Sequence, residues 1–173
     1  MIKLIIWDLD GIVWRDDLSE TGSTGPINQD VIDFIRKSEQ LGIIHSICSK
    51  NNKQRAIVEL QKLEIFNLFV FPIIEYSPKG PNIKSIIENC QLREQNVLFV
   101  DDNPINLNEA KYYCPEITIE SSTKFIDSFD APQGNSRTEQ YKILEVKSKD
   151  KDNINFLNDS KINIAIYNKE TIL

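Results

Sequence analysis

Cysteine and histidine are scarce in this chain. Its 173 residues include three cysteines, Cys48, Cys90 and Cys114, odd in number, widely spaced and without a CxxC pair. That excludes a disulfide framework and a structural zinc site, and it fits a reducing cytoplasm. The single histidine, His45, falls inside an apolar run and reads as a packed or hydrogen-bonded core residue. No second histidine is available to activate Cys48, which reads as a small buried hydrophobe. No apolar run approaches the length of a membrane span, and the N-terminal apolar stretch ends in carboxylates rather than a small-residue cleavage site. Neither a membrane segment nor secretion is expected. A basic stripe is missing too: 20 basic side chains stand against 26 acidic ones, the net charge is −6 and the pI is near 4.9. Affinity for nucleic acid comes mainly from Lys and Arg neutralising phosphates, so no nucleic-acid partner is expected. Internal repeats and low-complexity segments are absent.

What is present is a globular composition, with 40% hydrophobic residues. A single chain of this length buries roughly 70% of the surface that it exposes when unfolded. Nearly continuous apolar runs at residues 3–7, 42–48 and 96–100 read as strands covered on both faces, as in a parallel sheet. Between the first two, Val31, Ile32, Phe34, Ile35 and Leu41 make a helical stripe with Asn28 as N-cap and Gly42 past its end. A second helix carries Ala56, Ile57, Leu60 and Leu63. Residues 68–74 read as a third strand, Ile83, Ile86, Ile87 and Cys90 as a third helix, and Asn103-Pro104 as the cap and first residue of a fourth. Residues 116–119 make a short fifth strand. The result is an α/β, Rossmannoid three-layer sandwich around a five-stranded parallel sheet of order 5-4-1-2-3. About 17 residues separate Asp10 from the first helix, too few for a large cap domain, so the site should be open. Residues 1–132 form this domain. Residues 133–173 are a helical and extended tail, with a surface helix over 137–152 and a strand over 161–167, or the start of a further domain. On this reading the fold stands without residues 135–173.

Ligands of open α/β sheets bind outside the carboxyl ends of the strands, where the strand order reverses. Strand one ends in Asp8 and Asp10, strand two in Ser49 and Lys50, the loop after strand three brings Lys79, and strand four ends in Asp101 and Asp102. Alone, Asp-x-Asp is more often a solvated turn. Two carboxylate pairs at one edge repel each other unless a divalent cation is present, and oxygen ligands of this kind suit Mg²⁺. Asp101→Asn is therefore expected to melt higher than the parent without metal. Gly11 gives the chain freedom to turn back over the site. Lys50, Asn51 and Asn52 contact substrate or cap the next helix, and both accounts stand. Trp7 reads as core, and Trp14 as a candidate for the entrance.

LIIWDLDGIVW resembles the first motif of the haloacid dehalogenase (HAD) superfamily, CSKNN the second, the Lys79 loop the third and LFVDDNPIN the fourth, over residues 1 to about 130. CSKNN, PKGPNIKSI, FVDDNP and RTEQY resemble its FkbH-like branch. The resemblance implies a Mg²⁺-dependent phosphatase or phosphotransferase. In it Asp8 is the nucleophile that becomes an aspartyl-phosphate, Asp10 the general acid and base, Ser49 a ligand of a phosphoryl oxygen, and Lys79 the neutralising cation. Gly11, Lys50 and Asn51 would face substrate. Asp8, Asp101 and the main-chain carbonyl of Asp10 would hold the metal, with Asp102 either reaching it through water or holding Lys79. The FkbH-like branch further implies handling of a glyceryl group and its loading on an acyl carrier protein. Other readings are a phosphatase of polysaccharide or secondary-metabolite assembly acting on a phosphorylated small-molecule or carrier-bound substrate, and a catalytically idle docking module. One departure is plain: the branch reads Asp-x-Asp-Asn-Thr-Leu-Trp where this chain reads DLDGIVW, so Ile12 stands where a Thr could orient Asp10.

Overall fold

The computed structural model describes residues 1–159; the strand expected at 161–167 lies outside the described residues. Strands β1 (Leu4–Trp7), β2 (Ile44–Ser49), β3 (Ile73–Ile74), β4 (Val97–Val100) and β5 (Thr118–Glu120) pair in parallel in the order β3-β2-β1-β4-β5. This is the expected order read from the other edge. The helices are α1 (Leu18–Thr21), α2 (Gln29–Gln40), α3 (Lys53–Lys62), α4 (Lys79–Asn89), α5 (Pro104–Tyr113) and α6 (Thr138–Asp159).

The apolar runs are continuous because both faces of the sheet are covered. Ile5 and Trp7 of β1 join a core with Val31, Ile35, Ala56 and Leu60 of α2 and α3. Leu4 and Ile6 face the other way, among Ile83 and Ile86 of α4 and Leu107 and Ala110 of α5. Helix starts fall where polar caps stand: the side chains of Asn28, Asn52 and Asn103 accept from the main-chain N–H groups of Val31, Arg55 and Ile105.

Two expectations change, and the start of the tail adds contacts to the domain. The third strand keeps only two of its seven residues. Phe71 takes a left-handed φ of 48° and Pro72 has no N–H to give a ladder, so residues 68–70 meet β2 only through a bridge from Phe69 to His45. The stretch after Asp10 is not bare loop, since it holds the one-turn α1, whose first N–H groups are capped by Asp17. No cap domain is inserted there. Finally, residues 134–144 lie against the domain. The hydroxyls of Ser136 and Thr138 donate to the buried Glu39 carboxylate, Thr138 at 2.6 Å, and Tyr141 is buried in the α4–α5 core layer. The Lys142 ammonium donates to the Phe69 carbonyl. Among the described residues, no helix is long and apolar enough to cross a membrane.

Candidate active site

The chain leaves β1 for β2 on one side and later returns to β4 on the other, so the sheet order reverses beside β1. Asp8 and Asp101 are the first residues beyond these two adjacent strands, and the Asp8 N–H donates to the Val100 carbonyl at 2.9 Å. Between the two carboxylates sits Lys79, the first residue of α4 and almost fully buried. Its ammonium donates to Asp8 Oδ1 at 2.8 Å and to Asp101 Oδ2 at 2.6 Å. Asp101 is held further by the Asn103 N–H at 2.8 Å and the Asn106 amide at 3.0 Å. Gly80 lets α4 and α5 approach so closely that a Cβ there would stand 2.3 Å from the Tyr113 ring.

Lys79 bonds Asp8 and Asp101 rather than Asp102, which removes one of the two roles open to Asp102. The Asp102 carboxylate lies instead against Gly11, whose φ is +78° and whose missing Cβ would fall 2.2 Å from Asp102 Oδ2. Asp8, Asp101 and Asp102 each offer an oxygen within 4.8 Å of the others. Three hard carboxylate donors at one strand edge fit a Mg²⁺-sized cation. The Asp10 carboxylate is not in this group. The expected gain in melting temperature for Asp101→Asn does not follow from these contacts: three donors converge on Asp101, so its charge is compensated where it sits.

Asp10 is gripped from three elements. Its Oδ1 accepts from the Trp14 indole at 2.6 Å and from the Leu18 N–H at 3.2 Å, and its Oδ2 accepts from the Asn51 amide at 2.9 Å. Trp14 therefore does not line the entrance; it is 1% exposed, with its N–H spent on Asp10. Asn51 is likewise buried, and Asn52 is the residue that caps α3. The Ser49 hydroxyl is buried at the end of β2 and has no hydrogen-bond partner among the described residues. A buried hydroxyl without a partner costs about 1–3 kcal/mol unless a ligand completes it. Asp8, Asp10, Gly11, Lys50, Lys79 and Asp102 share one open cleft of about 330 Å³ with Arg15, Asp17, Asn103 and Asn106.

Burial pushes the Asp8 carboxyl up to about 6; Lys79 opposes the rise and Asp101 adds to it. Burial also raises Asp10, against the hydrogen bonds from Trp14 and Leu18, and raises Asp102, with Asp101 adding to the effect. For Lys79 burial acts downward, but Asp8 and Asp101 together outweigh it and the net shift is upward, so the ammonium stays charged. His45 is outside the cleft. The Trp7 indole donates to its Nδ1 and its Nε2 meets Ser38 Oγ, each at 3.0 Å, and burial lowers its pKa to about 3.

Arg15, Asn106 and the grip of Trp14 on Asp10 are absent from the motif reading. Asn106 follows the cap Asn103 by three positions, one helical turn on, which is the available signal. Trp14 follows Asp10 by four, and a buried indole N–H needs an acceptor.

Fold and cleft together define a Rossmann-like three-layer α/β domain with an acidic cleft at the carboxyl ends of its parallel strands. No protein-family model matches the sequence, and no curated sequence matches it significantly. Among solved structures, the chain is similar to the N-terminal part of a Bacteroides fragilis protein that contains a phosphatase domain, complexed with Mg, at 21% identity and a TM-score of 0.57. That match covers 83% of this chain and 40% of the other. It is similar to the cobalt-bound deoxy-D-mannose-octulosonate 8-phosphate phosphatase of Haemophilus influenzae, at 14% identity and TM-score 0.54, covering 83% and 86% of the two chains. A third is the corresponding phosphatase of Moraxella catarrhalis with magnesium, phosphate and KDO, at 14% identity and TM-score 0.52, over 90% and 93%. These likenesses establish the shared fold.

Proposed function

We propose that the protein is a Mg²⁺-dependent phosphohydrolase that works through a phosphorylated Asp8. The observation that carries this reading is the Asp8–Lys79–Asp101 ion group at the reversal of the sheet; the buried Ser49 hydroxyl, without a hydrogen-bond partner among the described residues, ends the neighbouring strand β2. An Asp8 oxygen attacks phosphorus in line; the bond from phosphorus to the ester oxygen breaks, and that oxygen leaves with the electron pair and takes a proton from the Asp10 carboxyl. Water then attacks phosphorus and gives its proton to Asp10, and the Asp8 carboxylate departs, leaving inorganic phosphate. Lys79 keeps Asp8 oriented and offsets charge on the transferring group, and the Ser49 hydroxyl donates to one of its oxygens. Asp8, Asp101 and Asp102 would hold Mg²⁺, which supplies charge stabilisation of the transferring oxygens when bound.

The substrate class is a phosphorylated small molecule. The cleft is open, and the exposed cations Arg15 and Lys50 line it. Named substrates of the structural neighbours, phosphorylated sugar acids, are of this kind. Glyceryl loading on an acyl carrier protein, the finer reading implied by the FkbH-like resemblance, finds no activated thiol among the described residues. Burial pushes the thiols of Cys48 and Cys90 up to about 12 and that of Cys114 to about 11, and His45 is engaged with Trp7 and Ser38. Purified protein with Mg²⁺ should release phosphate from a phosphate ester, and Asp8→Asn should lose about 10⁴-fold or more of that rate. Retention of activity in Asp8→Asn removes the covalent route.

A further inference from the structure

An acid that must hand a proton to one oxygen has to be aimed at it. Ile12 cannot do the aiming for Asp10: its side chain is buried in the α2–α3 core and carries no donor. Two other buried side chains do touch the carboxylate. The Trp14 indole has Asp10 Oδ1 as its hydrogen-bond partner at 2.6 Å, inside a fully buried ring environment. The Asn51 amide reaches Asp10 Oδ2 at 2.9 Å, and its other end is fixed: Asn51 Oδ1 accepts from Ser19 Oγ and from the Asn52 N–H, each at 3.0 Å. Turning the amide over would set an oxygen against the Asp10 carboxylate and an NH₂ against the Asn52 N–H. Its orientation is therefore determined by the network. Both oxygens of Asp10 are thus pinned by donors from two different strand-end segments, while its backbone continues into the Gly11 turn.

We infer that Trp14 and Asn51 are positioning residues that set the direction in which Asp10 exchanges protons with the ester oxygen and with water. The inference rests on the phosphohydrolase reading above. Neither residue touches the transferring phosphoryl group; each acts through Asp10.

The test compares two esters. An alkyl phosphate such as ethyl phosphate has a poor leaving oxygen that needs the proton from Asp10, whereas the phenol of 4-nitrophenyl phosphate leaves without one. kcat/KM is the quantity to measure, because it covers only the steps up to transfer onto Asp8. For Trp14→Phe and, separately, Asn51→Ala, the ratio of alkyl to aryl kcat/KM should fall by about 10- to 100-fold, in the direction set by Asp10→Asn and within the range of general acid catalysis. Damage to the nucleophile, metal site or fold would lower both esters together and leave the ratio where it was. An unchanged ratio in both variants, with the parent active, overturns the positioning role alone. A parent that turns over neither ester overturns the phosphohydrolase reading and this inference with it. Asn51→Ala keeps the test open if Trp14→Phe does not fold.

Discussion

The two edges of the sheet handle buried polar groups in opposite ways. At the amino edge, neighbouring residues of α2 anchor two networks in which donors and acceptors match. The Trp7 N–H donates to His45 Nδ1, which leaves the His45 Nε2–H to donate to Ser38 Oγ, and the Ser38 O–H donates to the Phe34 carbonyl at 2.6 Å. Glu39 takes the hydroxyls of Ser136 and Thr138. At the carboxyl edge, Asp8 and Asp101 share the Lys79 ammonium while Asp102 adds a third carboxylate close by, and Ser49 has no partner among the described residues. A satisfied network holds a structure together, whereas grouped carboxylates and a spare hydroxyl leave hydrogen-bonding and charge capacity for something from outside the protein. That difference separates scaffold from site without reference to any relative.

Substitutions at the two edges should break this contrast in different ways. The largest effect on stability is expected at Asp101, a fully buried carboxylate on which three donors converge. Asp101→Asn leaves the Lys79 ammonium with Asp8 as its remaining carboxylate and sets the Asn106 amide against another amide, which should cost roughly 3 kcal/mol. At this chain length that corresponds to a melting temperature lower by about 10 °C. Asp102→Asn removes a repelling charge instead and should melt no lower than the parent without metal. A pair of thermal scans in EDTA checks both, and a higher melting point for Asp101→Asn would show that repulsion governs Asp101 as well.

Cutting the chain after Pro132 comes next. It removes Tyr141 from the α4–α5 layer and strips the hydroxyls from buried Glu39, together about 3 kcal/mol. Urea titration of the shortened protein should show a cooperative transition at lower midpoint; an unchanged midpoint would mean that residues 134–144 contribute nothing to the domain.

The smallest effect is a pH dependence. His45 titrates near 6.5 in the unfolded chain and near 3 in the native one. Between those values the unfolded state binds the extra proton, so stability falls as pH drops through that window, at about 1.4 kcal/mol per pH unit. Denaturation at about pH 7 and about pH 5 should therefore show a loss of about 2 kcal/mol from this group. His45→Gln should be less stable at neutral pH but show a correspondingly shallower pH slope. Equal slopes in the two proteins would place the acid sensitivity elsewhere.

Much of this was legible in the sequence. Strands β1, β2 and β4 are short apolar runs, burial on both faces leaves little ambiguity, and their end residues mark the cleft at once. β3 is shorter than its apolar run because period and hydrophobicity carry no sign of the left-handed turn at Phe71. The docking of α6 was hidden because its start is rich in charge and only Tyr141 and Leu144 reach the core. At the site, the types and positions of Asp8, Asp10, Ser49, Lys79, Asp101 and Asp102 are readable from strand ends. Which carboxylate Lys79 holds is a matter of side-chain reach across α4. The place of Trp14 is not legible because an indole near a carboxylate pair reads equally well as a wall or as a donor, and only packing decides.

The few cysteines give the molecule a way to report its own breathing. Cys48 lies in β2 and Cys90 at the end of α4, both nearly inaccessible, both in the core layer that Tyr141 completes. A thiol reagent can reach them only through openings, and when reclosing is fast the rate of labelling follows the population of the open form. Cys90, next to the seat of α6, would register detachment of that helix, while Cys48, inside the sheet, would wait for the whole domain to open. The difference between their labelling rates measures how far the tail can lift while the sheet stays shut.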